Sequence, residues 1–155
     1  MFNKAIEWGW IKDAPKIPRV KEGTGRISYL TQEQCGQLIE RARLDPNPNI
    51  HAFVVIALST AMRMGEILSI RLENIDLKKR RIFIPQAKAG AREQPITSAL
   101  AAFLQDHING MPNDAIWLFP NTDSKSGHVA TIRKAHRRVV KAAGFDPDKI
   151  VRHTL

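Results

Sequence analysis

The stretch HAFVVIALSTAMRMGEILSIRLENIDL, residues 51–77, contains the change of pattern from which the fold class can be predicted. Its first part, His51–Ala61, is apolar nearly all round, and a helix of that kind belongs in the middle of a core. A second, shorter helix is predicted over about Met64–Arg71, with Ile67 and Leu68 facing inward. Beyond it the helical spacing of apolar residues stops, so the core helices are predicted to lead directly into a different kind of structure.

Short strands follow this stretch, because the apolar residues begin to alternate and turn-forming residues separate them. The predicted strands are Asn74–Leu77, Arg81–Pro85 and Arg92–Ile96, with turns at 78–80 and 86–91. Connections this short favour antiparallel neighbours.

Helical patterns flank the predicted sheet on both sides. Thr31 and Gln34 form a candidate capping box, in front of a stripe of apolar residues at helical spacing. Before the sheet, the sequence predicts the end of a helix at Phe2–Ile11 and a buried stripe of Cys35, Leu38, Ile39 and Ala42. After the sheet, it predicts a helix from Thr97 and an extended segment over Trp117–Pro120. A helix over Gly127–Ala143, ended by Gly144, and a last helix from Asp148 complete the prediction. The predicted fold is mainly α with a small three-stranded antiparallel sheet (α+β).

Composition limits the classes of function. The 155 residues leave room for one domain plus a small part of another, and the net charge of +9 favours a polyanionic partner. The single cysteine, Cys35, excludes a disulfide scaffold. No stretch reads as a signal peptide or a membrane span, so a cytoplasmic protein with no membrane partner is expected.

Patterns that would bind a metal or a nucleotide cofactor are missing from the sequence. No two of the five histidines stand four residues apart, and there is no CxxC. The glycines do not form a phosphate-binding loop. We therefore expect no metal and no cofactor, and we interpret His136 as a packed core residue.

Two arginines stand among apolar residues, where a charge needs a partner or a function. Arg63 follows the apolar helix and has Glu66 three positions on, so it forms either a structural ion pair or part of a binding site. Arg152 lies between apolar neighbours in VRHTL, residues 151–155, and is either a surface arginine or a second part of such a site.

Taken together, several motifs resemble those of one family. TAMRMGEILSIRLENIDL, residues 60–77, resembles the first conserved box of the tyrosine recombinases, the phage integrase family. KIVRHT, residues 149–154, is similar to the second box, HxLRHT, except at its first position. RIFIPQAKAG, residues 81–90, resembles the strand and turn that contain the family's lysine. Further similarities follow in the family's order at Ala5–Trp10, Tyr29–Thr31, Gln94–Ile96 and Leu118–Pro120.

The resemblance implies an integrase-like catalytic core and a set of catalytic residues. Arg63 and Arg152 would bind the scissile phosphate of DNA, because a guanidinium offers paired donors to phosphate oxygens. Lys88 would protonate the leaving 5′-oxygen. Glu66 would hold Arg63 in position. In the family a tyrosine attacks the phosphate and forms a 3′-phosphotyrosyl bond, which preserves bond energy for rejoining.

The sequence departs from the family pattern in two places. Lys149 stands where the family has a histidine, and lysine donates a proton but accepts one only if its pKa is lowered. His153 aligns with the family's second histidine and is expected to pack or hydrogen-bond. The only tyrosine, Tyr29, precedes Arg63, so the nucleophile is absent and we expect an inactive fragment.

The expected organisation is a remnant of a core-binding domain with a linker over residues 1–25, and a catalytic domain, incomplete at its C-terminus, over residues 26–155. The expected function is site-specific recombination of double-stranded DNA in integration or excision of a mobile element, by a bacterial or phage-encoded protein that assembles as a tetramer on DNA. The alternative is a non-catalytic DNA-binding remnant. An RNA-binding domain is less favoured, because no aromatic run for stacking bases is present.

One predicted helix has a basic face that lies away from its apolar stripe. Such a face is either simply solvated or contacts the DNA backbone, and the resemblance favours the second interpretation. The residues are Arg133, Lys134, Arg137, Arg138 and Lys141.

Overall fold

The computed structural model describes residues 2–14, 29–87 and 90–150 of the chain. These residues form six α-helices and one three-stranded antiparallel sheet, so the predicted mainly-α fold class is confirmed. None of the described helices combines the length and the apolar character needed to cross a membrane. In chain order the elements are α1 (Phe2–Glu7), α2 (Gln32–Arg43), α3 (Ile50–Thr60), α4 (Met64–Leu68), a 3-10 turn (Leu72–Asn74), β1 (Ile75–Asp76), β2 (Arg81–Ile84), β3 (Arg92–Pro95), α5 (Ser98–Asn109) and α6 (Arg133–Ala142).

The starts of α2 and α5 follow from side-chain capping. Thr31 Oγ1 accepts from the Gln34 amide, and Gln34 Oε1 accepts from the Thr31 amide, which confirms the capping box at the start of α2. Thr97 Oγ1 accepts from the Leu100 amide in the same way at the start of α5. Both helices therefore begin where the sequence predicts them.

The core is built around α3, which is buried on nearly every side. Phe53, Val54 and Ile56 are almost fully inaccessible, as expected for a helix without a polar face. α2 and α5 pack against it from two directions, and α6 packs against α2. These contacts hold α3 in place, and the candidate site begins immediately after the C-terminal end of α3.

A column of aromatic rings forms part of the contact between α3 and α5. Phe103 stands between His51, which meets it edge-on at 5.4 Å, and His107, which stacks on it at 6.2 Å. Burial lowers the pKa of both histidines. Both rings are therefore neutral at neutral pH and act as packing residues.

The sheet has the order β1-β2-β3, and its register determines which side chains face the core. Ile82 and Ile84 of β2 are buried and stand opposite Gln94 and Arg92 of β3. Opposite residues share a face of an antiparallel pair, so Arg92 and Gln94 lie on the core side at its edge. The confirmed three-stranded sheet thus directs one arginine of β3 inward.

The helix predicted over Gly127–Ala143 is wrong over residues 127–132. Gly127 has a φ of +74° and leaves only 3.0 Å between an added Cβ and Nε1 of Trp117. His128 forms an antiparallel bridge with Pro120, and the Val129 amide donates to the carbonyl of Phe119 at 2.9 Å. Extended pairing with the preceding segment replaces the helix there. The end at Gly144 is confirmed, since Ala143 is the C-cap of α6 and Gly144 has a φ of +80°.

Three other helix predictions differ from the structure by more than one residue. α1 ends at Glu7 because Gly9 has a φ of +70°. α4 ends at Leu68, and Arg71 instead pairs with Trp117 in an antiparallel bridge. The helix predicted from Asp148 is a turn at 147–149, and its continuation over 151–155 lies outside the described residues.

A long-range ion pair fixes α6 to the loop between α2 and α3. The Arg138 guanidinium donates to both carboxylate oxygens of Asp45, at 2.9 and 2.6 Å, and Asp45 also accepts from the Asn47 amide. The Asp45 side chain is only 7% exposed. The hydrogen bonds from Arg138 lower the pKa of Asp45 although its burial acts in the opposite direction.

Replacing this carboxylate tests how much the pair contributes to the fold. We expect Asp45→Asn to lower the free energy of unfolding by about 1–2 kcal/mol, because it weakens charge-assisted hydrogen bonds at a buried oxygen. The matched control is Asp148→Asn. Asp148 pairs with the neighbouring Arg137 but is 73% exposed, and its loss should cost less than about 0.5 kcal/mol. Urea denaturation measures both, and equal losses would contradict a structural role for Asp45.

Candidate functional site

The candidate site begins in the three-residue connection between α3 and α4. Ala61 has a φ of +52°, in the left-handed region, and ends α3. Thr60 Oγ1 donates to the Ile56 carbonyl at 2.7 Å and accepts from the Met62 amide at 3.3 Å, which holds the chain reversal. Arg63 then adopts an extended backbone and becomes the N-cap of α4. The turn therefore places Arg63 at the protein surface beside the core.

Glu66 holds Arg63 by both its backbone and its side chain. Glu66 Oε2 accepts from the Arg63 amide at 3.1 Å, and Oε1 accepts from Arg63 Nη1 at 3.1 Å. The Glu66 side chain is 7% exposed, whereas that of Arg63 is 58% exposed. The contact expected from the spacing of the two residues is therefore present. It anchors the guanidinium and leaves much of its surface open to solvent.

A third donor to Glu66 comes from β3, and the sequence analysis missed it. Arg92 Nη2 donates to Glu66 Oε2 at 3.0 Å, and Arg92 Nη1 donates to Gln94 Oε1. One carboxylate therefore joins α4 to the sheet. The alternation of side chains along β3 contained a signal for this contact. It places Arg92 on the same face as Ile96, and an arginine on a face that turns toward the core needs an acid as its partner.

The ionisation of Glu66 reflects this environment. Burial alone would raise the pKa of Glu66, but the hydrogen bonds from Arg63 and the charge of Arg92 act in the opposite direction. The pKa consequently lies below its ordinary value, and Glu66 is a carboxylate at neutral pH. Its charge is the reason that two guanidinium groups can converge at this position.

A pocket of about 310 Å³ lies next to this network, and Glu66 is one of its lining residues. On another wall, the guanidinium of Arg71 lies 5.2 Å from the ring centre of Trp117, and Trp117 lies 4.6 Å from His128. Arg71 also pairs with Glu73 at 2.6 Å. The sequence analysis did not single out this cation–π cluster, because its members lie far apart along the chain.

The remaining predicted catalytic residues are described only in part. Lys88, Arg152 and His153 lie outside the described residues. Lys149 lies in the turn after α6, where its side chain is 77% exposed and its Nζ is 4.0 Å from Asp146. Their roles stay predictions, and the described residues that the structure brings into contact at the site are Arg63, Glu66 and Arg92.

The basic residues predicted to bind DNA all lie on the exposed face of α6, opposite buried residues such as His136 and Val139. Two of them have carboxylate partners: Arg137 pairs with Asp148 at 2.7 Å and Arg138 pairs with Asp45. In the part of the chain that the structure describes, no carboxylate lies within ion-pair distance of the other three. Those three residues are Arg133, Lys134 and Lys141.

Comparison with known proteins points to one family. The sequence model described as the phage integrase family matches residues 28–155. The shufflon-specific DNA recombinase of Escherichia coli is 35% identical over 109 residues, which are 68% of this chain and 28% of that protein. The chain therefore spans less than a third of the length of this relative.

Solved structures show the same fold. The Tn1549 transposon integrase in complex with transposon right end DNA superimposes with a TM-score of 0.76 at 17% identity, over 99% of this chain and 59% of that one. The crystal structure of XerA recombinase superimposes with a TM-score of 0.67 at 21% identity, over 87% of this chain and 49% of that one.

The pKa of Glu66 leads to a pH-dependent prediction. We expect Glu66→Gln to lower the free energy of unfolding by about 2 kcal/mol at neutral pH, because the carboxylate receives three donors and two of them are charged. A carboxyl group whose folded pKa is lowered contributes stability above its ordinary pKa and loses that contribution as the pH falls through the folded value.

The difference between the two proteins should therefore shrink as the pH is lowered from neutral to about 3, and urea denaturation at each pH measures it. Glu93→Gln is the matched control, because Glu93 pairs with Arg81 on an exposed surface and should contribute less than about 0.5 kcal/mol. A difference that stays constant with pH would contradict the ionised Glu66.

Proposed function

Because the chain belongs to the phage integrase family, we propose that it takes part in site-specific DNA recombination, in the integration or excision of a mobile element. The names of the similar proteins support this proposal, since they include a shufflon-specific DNA recombinase and a prophage integrase of Escherichia coli. We further propose that residues 26–155 form the catalytic unit, that the acting assembly on DNA is a tetramer, and that it works in the cytoplasm.

The observation that carries the proposal is the anchored, open guanidinium of Arg63. Glu66 holds it from one side, and more than half of its side chain surface is free to meet a ligand. A guanidinium held in this way presents paired N–H donors to an oxyanion without having to be ordered first. A phosphodiester is the ligand that fits both this geometry and the positive charge of the chain.

The proposed reaction exchanges one phosphoester for another. A tyrosine other than Tyr29 attacks the scissile phosphorus through its hydroxyl oxygen and releases the hydroxyl proton to solvent. The bond to the 5′-oxygen breaks, and a 3′-phosphotyrosyl bond forms. Arg63 and Arg152 donate to the non-bridging oxygens, where negative charge increases in the transition state. Lys88 gives its proton to the leaving 5′-oxygen. In the second half, a 5′-hydroxyl of the recombining strand attacks the phosphotyrosyl bond and releases the tyrosine.

Lys149 takes the place of the family's histidine in this scheme. As an ammonium it donates a hydrogen bond or a proton to a phosphate oxygen, and it adds a charge that a neutral imidazole lacks. We assign it a supporting role at the phosphate. Its side chain is 77% exposed, with Nζ 4.0 Å from Asp146, which leaves the ammonium accessible to DNA.

Double-stranded DNA is the proposed partner, and α6 is its proposed contact surface. The Tn1549 transposon integrase, which shares the fold, has been solved in complex with DNA. The basic face of α6 provides cations for backbone phosphates, and Arg133, Lys134 and Lys141 are the most available of them. Phosphate contacts of this kind give binding that is independent of sequence and sensitive to salt.

The salt dependence of DNA binding tests the contact surface. We expect the triple variant Arg133→Gln, Lys134→Gln, Lys141→Gln to reduce the slope of log K against log salt by about 2 to 3, close to one per lost phosphate contact. Fluorescence anisotropy with a labelled duplex at several salt concentrations measures the slope.

The matched control removes the same number of charges from the turn between β1 and β2, as Lys78→Gln, Lys79→Gln, Arg80→Gln. These residues are exposed, and we expect a slope close to that of the unaltered chain. Equal losses in both variants would show that overall charge, rather than α6, determines DNA binding.

Residues 1–155 by themselves should form no covalent bond with DNA. Tyr29 is the only tyrosine among them, is 81% exposed, and lies just before α2 in the chain. Incubation with a suicide DNA substrate should therefore give no protein–DNA band that survives denaturation. Such a band, absent from Tyr29→Phe, would overturn the assignment of Tyr29 as a non-catalytic residue.

A further inference from the structure

The carboxylate of Glu66 is shared between two arginines from different elements. Arg63 reaches Oε1 from the start of α4, and Arg92 reaches Oε2 from β3. The acid is nearly buried, but the side chains of Arg63 and Arg92 are 58% and 36% exposed. Two positive charges and one negative charge therefore meet at one place, and the excess positive charge lies on the solvent side.

We propose that Arg92 is a positioning residue that keeps Arg63 able to bind a phosphate, by taking up part of the negative charge of Glu66. This inference rests on the proposed role of Arg63 as a phosphate-binding residue, and it adds the reason that an arginine paired with a buried acid still attracts an anion.

The argument is electrostatic. A carboxylate that faces a single guanidinium offsets part of its charge, and a phosphate approaching that pair is repelled by the acid, which weakens its attraction to the nearer arginine. A second guanidinium on the other oxygen cancels this repulsion. The anchor for Arg63 is then retained without the loss of attraction that a one-to-one pair would impose.

The geometry shows that Arg92 is held independently of Arg63. Its Nη1 donates to Gln94 Oε1 on the same strand, and the register of β3 with β2 sets its position beside Ile84. Arg92 is also less exposed than Arg63, as expected for a residue whose partner is the acid rather than the solvent-side ligand.

A different arginine of the same sheet provides the contrast. Arg81 pairs one-to-one with Glu93, across the strands, and both side chains are about half exposed. Neither side chain of that pair is buried. Arg81→Gln therefore removes the same charge from the same sheet without changing the charge balance at Glu66.

The test measures the affinity of the 155-residue chain for a short labelled DNA duplex at one fixed salt concentration. We expect R92Q to bind about tenfold more weakly, and R92K, which keeps the charge, to stay within about twofold of the unaltered chain. R81Q should also stay within about twofold. Urea denaturation confirms that the variants compared are folded.

Two backgrounds separate an indirect role from direct contact with DNA. If Arg92 acts through Arg63, R92Q causes no further loss in an R63Q chain. If it acts by balancing Glu66, adding E66Q to R92Q restores most of the affinity, because glutamine keeps an acceptor for Arg63 and has no charge. The inference would be overturned, in favour of direct contact between Arg92 and DNA, if R92Q weakened DNA binding as much in the R63Q chain as in the unaltered chain. It would also be overturned if adding E66Q to R92Q restored none of the affinity.

Failure of the inference differs from failure of the proposed function. R63Q that binds the duplex as tightly as the unaltered chain would overturn the role of Arg63 and, with it, the role of Arg92. R63Q that binds weakly while R92Q binds normally would overturn only the role of Arg92. Should R92Q prove unstable, the double variant R92Q/E66Q is compared with E66Q: equal affinities are expected if Arg92 acts by balancing Glu66, and weaker binding of the double variant would overturn the inference.

Discussion

The carboxylate of Glu66 is the constraint on which the described part of the site depends. A buried charge is tolerated only when donors surround it, and here the donors come from two elements that are far apart in the sequence. Satisfying Glu66 therefore requires α4 and β3 to meet, and their meeting fixes where Arg63 points. The left-handed turn at Ala61 and the inward face of β3 are the local conditions that make this contact possible.

Most of the fold could be predicted because its elements have local causes. The capping box at Thr31, the all-round apolar α3 and the alternation in the three strands depend on residues close together in sequence. The segment over 127–132 could not be predicted in that way. Val129 and Ile132 have helical spacing, but residues 128 and 129 pair with the segment at 119–120, and such pairing leaves no mark on the local pattern.

The same distinction separates the predicted part of the site from the missed part. Glu66 stands three residues after Arg63, so the pair could be inferred from spacing alone. Arg92 stands 26 residues from Glu66, and Asp45 stands 93 residues from Arg138. Contacts over such separations depend on strand register and helix packing, which exist only after the chain has folded. The sequence indicated the local partner of Arg63, but neither the contact of Arg92 with Glu66 nor that of Arg138 with Asp45.

The exposure of each paired acid determines whether its arginine remains free to bind a phosphate. Asp45 is buried, so Arg138 cannot leave it without stranding a charge, and that arginine is tied to the structure of the loop. Asp148 is exposed, so water can replace Arg137 at little cost and a phosphate can compete for that guanidinium. Glu66 is buried like Asp45 but has two partners, so it can hold Arg63 firmly and still leave positive charge in excess. The count of 24 lysines and arginines therefore overstates the cations available to a partner, and the exposure of the paired acids shows which of them are held back.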